Sequence, residues 1–88
     1  MTALELILDN LSTIAESKKI YDEAFSELDD RTRSILTMRF GLDGKKSRTL
    51  DQCGNKHFIS RERIRQIESK GLQQLRAKIK FKARMKTL

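Results

Sequence analysis

Apolar residues recur along the first half of the chain with the spacing of helices. Leu4, Ile7, Leu8, Leu11 and Ile14 fall on one face at 3.6 residues per turn, which predicts an amphipathic helix over residues 3–16. That face could be covered by its own domain, by another copy of the chain or by a partner, and the pattern does not choose. Ile20, Tyr21, Ala24, Phe25 and Leu28 mark a second, short helix over residues 18–28. Asp29 and Asp30 then have the chemistry of an N-cap. The helix they start is expected to run to about Phe40, with Ile35, Leu36 and Met38 partly buried. Gly41 and Gly44, with Asp43 and Lys45 to Ser47, break it into a loop.

Thr49-Leu50-Asp51-Gln52 is a capping-box pattern and predicts a short helix to about His57. Phe58 and Ile59 make a turn, and Ser60 caps a long helix that reaches Leu75 at least. Ile64, Ile67, Leu72, Leu75 and Phe40 are the expected core. From Arg76 to Lys86 basic residues alternate with small or apolar ones at period two. That is a strand pattern by rule, but no second strand candidate exists to pair with it. A helix that continues and frays into a basic tail is therefore expected. The fold class is all-α: a small helical domain with a C-terminal helix-turn-helix, preceded by an extra amphipathic helix. The expected divisions are residues 1–17 for that helix, 18–76 for the domain and 77–88 for the tail.

Composition narrows the picture. At 88 residues, without Pro and with four Gly, the chain has room for one modest core and not for separate substrate and cofactor domains. No apolar run approaches the length of a membrane span, and the N-terminus lacks a basic-then-apolar leader pattern. The single Cys excludes an internal disulfide and suits a reducing cytoplasm. The net charge of +7 is unevenly placed. Residues 1–30 hold eight acids and two bases, residues 31–75 eleven bases and four acids, and residues 76–88 six bases and no acid. Basic charge gathered on a helix-turn-helix favours a polyanionic partner, while the acidic head is expected to face away from it.

The candidate chemistry lies in Arg61-Glu62-Arg63-Ile64-Arg65-Gln66-Ile67-Glu68. Arg61, Glu62, Arg65 and Gln66 form one stripe at i, i+1, i+4 and i+5, and Ile64 and Ile67 take another face. Arg grips guanine bidentately, Gln grips adenine, and Glu accepts from cytosine. A helix carrying these groups on exposed N-terminal turns is what a helix-turn-helix lays in the major groove.

Leu28 to Arg76 resembles the fourth conserved region of the primary sigma factors of bacterial RNA polymerase. The matching pieces are Met38-Arg39-Phe40-Gly41, Thr49-Leu50, Ser60 through Glu68, Lys70, and Leu75-Arg76. The resemblance implies double-stranded promoter DNA as a partner, read at the upstream hexamer (the −35 element), and docking on the β flap of the polymerase core. Carried over by position, it implies Arg61, Glu62, Arg65 and Gln66 at the bases. It implies Arg31, Arg39, Thr49, Ser60, Arg63 and Lys70 at the DNA backbone. An apolar groove for the flap is expected from Phe25, Ile35, Phe40 and Leu75. An activator, touching Lys70 and Arg76, or an anti-sigma protein is a further partner that the resemblance allows. The chain departs from the family at Gln73 and Gln74, where basic residues are usual, and at Cys53, where Val is usual. The family's regions that grip the core clamp and melt the −10 element have no counterpart here. The 88 residues alone are therefore not expected to act as a complete sigma factor.

Enzyme classes find no support. His57 has no second His near it, Cys53 has no base arranged in sequence, and Gly41 and Gly44 lack phosphate-loop spacing. No cofactor, metal or catalytic residue is expected. Two alternatives stay open. One is a free-standing regulator that dimerises through residues 3–16. The other is a flap-binding protein that redirects polymerase without reading DNA.

Overall fold

The computed structural model describes residues 17–86. Within them lie four helices and no strand: α1 over residues 17–26, α2 Asp30–Phe40, α3 Leu50–His57 and α4 Arg61–Lys86. The expected helix over residues 3–16 lies outside the described residues.

The helix starts are set by side-chain caps, because the first turn of a helix leaves backbone N–H groups without partners. The Asp29 carboxylate accepts from Thr32 N at 3.0 Å to begin α2. At α3 both halves of the capping box form: Gln52 N donates to Thr49 Oγ1 at 3.1 Å, and Thr49 N donates to Gln52 Oε1 at 2.8 Å. Ser60 Oγ accepts from Arg63 N at 3.1 Å to open α4. Gly41 ends α2 in the left-handed region at φ 63°, and a Cβ there would meet Lys45 O at 2.6 Å. Phe58 ends α3 in the same region at φ 59°, without a glycine's freedom.

Two apolar clusters meet across α2. Ala24, Leu28, Leu36 and Leu75 form one, with Tyr21, Phe25, Leu72 and Ile79 packed on it. Ile35, Cys53, Ile64 and Ile67 form the other, with Met38, Leu50 and Ile59. The second is the helix-turn-helix core, and it fixes the angle at which α4 leaves the domain. Between the clusters α2 and α4 approach closely, since a Cβ on Gly71 would lie 2.6 Å from Thr32 Cγ2. The turn between α3 and α4 closes on Gly54, whose carbonyl accepts from Ile59 N at 3.0 Å. Phe40, expected in the core, is half exposed instead.

Residues 76–86 are helical, so α4 runs 26 residues, about 39 Å at 1.5 Å per residue. Ile79 fastens the first turn of this extension to the first cluster. Lys78 and Lys82 reach Glu27 at 3.4 and 2.7 Å.

Candidate nucleic-acid interface

The helix-turn-helix core presents the first turns of α4 outward. Ile64 and Ile67 point into it, at 0% and 8% exposure, and Arg61, Glu62, Arg65 and Gln66 are thereby left exposed on the opposite side. The four expected base-reading residues thus share one open face. They are not idle there. Arg65 grips Glu62 with Nη2 on Oε1 at 2.6 Å and Nε on Oε2 at 3.0 Å. Gln66 Oε1 accepts from Arg63 Nη1 at 3.2 Å, and Arg61 lies 3.6 Å from Asp51 on α3. The hydrogen bond from Arg65 holds the Glu62 carboxyl below its ordinary range. Engagement of a base by Arg65 therefore has to exchange this internal partner for an external one.

Around that stripe lie most of the groups expected at the DNA backbone. Arg31, Arg63 and Lys70 line a cleft of about 180 Å³ between the start of α2 and α4, with Asp29, Gln66 and Gln74. Thr49 and Ser60 occupy the N-caps of α3 and α4 and are exposed. Helix N-termini favour anions, because unpaired N–H groups and the helix dipole point at them. Arg39 is drawn inward. Its Nε reaches Glu68 Oε1 at 3.3 Å and its Nη1 donates to Arg48 O at 2.9 Å, which ties α2 to α4 and to the loop before α3. A phosphate contact by Arg39 would have to exchange these internal partners for an external one.

A second basic surface escaped the sequence reading. Arg33, Lys45, Lys46, Arg48 and Lys56 line a broad cleft across α2, the loop and α3, with Asp43 as the acid among them. Arg48 grips Asp43 with Nη2 on Oδ2 at 2.6 Å, and this bond holds the Asp43 carboxyl well below the usual carboxylate range. The paired lysines in the Gly-rich loop were the available signal, but only the fold brings them beside Lys56.

An apolar groove lies beside the first cluster. Tyr21, Phe25, Leu36, Phe40, Leu42, Leu72 and Leu75 enclose about 290 Å³. Phe40 and Leu42 stand 50% and 48% exposed at its edge, and Tyr21 stacks on Phe25 at 5.8 Å between centroids. Ile35 is a correction: it is fully buried against Cys53, Ile64 and Ile67 and does not line the groove. Successive residues on a helix point about 100° apart, so Ile35 serves one cluster and Leu36 the other.

His57 Nε2 lies 3.1 Å from Ser34 Oγ and joins α3 to α2. Cys53 is buried, and burial pushes its thiol pKa up, the opposite of what a nucleophile needs. Among the described residues no helix is long and apolar enough to cross a membrane.

Comparison with known proteins places this geometry. The model of the family described as Sigma-70, region 4, matches residues 24–77. The RNA polymerase principal sigma factor HrdD of Streptomyces griseus is 44% identical over 64 residues, which is 73% of this chain and 19% of that protein. HrdD of Streptomyces coelicolor matches to the same extent. The RNA polymerase sigma factor SigA of Lactococcus lactis subsp. cremoris is 47% identical over 55 residues, 62% of this chain and 15% of that protein. The chain thus matches less than a fifth of the length of each of these relatives.

Proposed function

Because this chain belongs to the Sigma-70 region 4 family, we propose that it recognises promoter DNA in transcription initiation, reading the −35 element with α4 while docked on the β flap of RNA polymerase. The observation that carries this reading is the exposed stripe Arg61, Glu62, Arg65 and Gln66, held out by a buried Ile64–Ile67 face and opened by a Ser60 cap. Arg65 and Gln66 have the donors and acceptors for guanine and adenine edges. Arg31, Arg63 and Lys70 supply positioning contacts to phosphates, which fix register without carrying sequence information. The apolar groove edged by Phe40 and Leu42 suits an amphipathic helix laid in it, and the flap helix is the occupant this reading gives it. Lys70 and Arg76 are the positions open to an activator.

The test is binding of a −35-like duplex and a scrambled duplex, with and without Arg65→Ala. The substitution is expected to cost about 1–3 kcal/mol on the specific duplex and to relax preference at one or two positions. Lys70→Ala should weaken both duplexes alike. Equal losses for Arg65→Ala on both would end the assignment of α4 as the reading helix.

A further inference from the structure

The family match ends at residue 77, yet α4 continues to Lys86. Among the described residues this extension has an uncovered apolar strip: Phe81 and Met85 are 64% and 58% exposed, and Ala77, one turn before Phe81, is exposed on the same side. The side chains around the strip are basic. Arg76 to Lys86 contains six bases and no acid, and two of the bases, Lys78 and Lys82, grip Glu27 in the turn after α1.

At the other end, also beyond the family match, residues 1–16 have the complementary composition. They hold Glu5, Asp9 and Glu16 and no basic side chain. Their apolar residues Leu4, Ile7, Leu8, Leu11 and Ile14 fall on one helical stripe, and the acids, at i, i+4 and i+11, fall in one row of their own. Both halves of a match are therefore present: an apolar stripe with an acidic row, and an apolar strip among basic residues. Both lie in one chain, so the head meets the strip in an intramolecular encounter, at an effective concentration no separate partner has. Nucleic acid on the extension would pair with the lysines but leave Phe81 and Met85 in water. The head answers both the charge and the apolar surface.

We propose that residues 3–16 dock as an amphipathic helix on the C-terminal extension of α4 in the same chain, covering Phe81 and Met85 and neutralising the basic side chains around them. The acidic head and the basic extension then form one unit, and the extension is withheld from DNA. This inference does not rest on promoter reading by α4, and its test involves no DNA.

The test uses the full chain with Ser12→Cys carrying a nitroxide. The native Cys53 is buried and is not labelled in the folded protein. Amide signals of residues 78–86 should lose intensity in the labelled chain and recover when Phe81→Ser and Met85→Ser are added. Both substituted side chains are mostly exposed, so the fold should survive them, as dispersed amide signals of α2 and α3 would verify. Unchanged intensity at residues 78–86 overturns the proposal. So does loss confined to Tyr21, Phe40 and Leu42, which would put the head in the apolar groove. Mixing labelled chain with isotope-enriched, unlabelled chain detects a second copy, and loss only in that mixture overturns docking within one chain.

Discussion

Phe58 is the residue whose backbone and side chain ask for opposite things. It sits at φ 59° and ψ 39°, the conformation that glycine or asparagine adopts easily, and its ring is 94% exposed. A left-handed residue with a Cβ costs about 1–2 kcal/mol. The ring offsets little of this, because it is scarcely removed from water. Phe58→Gly removes the steric cost but returns about 0.5–1 kcal/mol through the larger entropy of the unfolded chain. The net expectation is a gain of about 0–1.5 kcal/mol, or roughly 3–6 °C in Tm at the middle of that range for a domain of this size. Phe58→Asn tolerates the same conformation without glycine's entropy, and its gain should equal or exceed that of glycine. Phe58→Ala keeps the strain and loses only an exposed ring, so it should stay within about 0.5 kcal/mol of the parent. Urea unfolding followed by far-UV circular dichroism measures all three, with an unchanged m-value confirming that native stability moved. Loss of stability in both the Gly and Asn variants would refute this account. So would a clear loss in the Ala variant, which would mean that the ring packs on something.

Two further predictions follow from the packing and the charges. Gly71→Ala should destabilise the fold despite alanine's better helix propensity, by about 1–3 kcal/mol of overpacking less about 1 kcal/mol of propensity. Adding Thr32→Ser, which removes the Cγ2 that lies 2.6 Å from the new Cβ, should recover most of the loss in the same urea assay. Asp43 is ionised in the fold well below its usual carboxylate range because of Arg48 and Lys45 N. Its contribution is therefore whole above about pH 4, the unfolded value, and is lost as pH falls further toward the folded one. Asp43→Asn should make stability less pH-dependent below pH 4, and an unchanged acid limb would mean that the Asp43–Arg48 pair does not hold the loop.

The features legible in the sequence were those decided within a few residues. The caps at Asp29, Thr49 and Ser60 and the Gly41 stop depend on local donors and acceptors, and each appears where the pattern put it. The stripe on α4 was equally local, since Ile64 and Ile67 alternate with the polar face at helical spacing. What escaped depends on partners far along the chain. Arg39 looks like a free cation until Glu68, 29 residues on, is brought beside it. Ile35 and Leu36 are both buried because α2 is covered from two sides, so periodicity could not assign Ile35 to the core and Leu36 to the groove. Residues 76–86 alternate like a strand, yet they have only helices to pack against, and Ile79 with the Glu27 pairs anchors them as helix. Leu42, in a loop, carried no helical phase to show that it edges the groove.

Footprinting of one promoter, with and without polymerase core and the remaining sigma regions, tests the central claim most directly. A helix-turn-helix of this size reaches few phosphates and bases by itself, and tethering to polymerase raises its local concentration without a new DNA contact. The expected result is weak protection of the −35 element by the protein alone and clear protection with polymerase, lost again when Phe40→Ser and Leu42→Ser spoil the groove. Tight, core-independent protection of a palindrome by a dimer would contradict the account and establish a free-standing regulator instead.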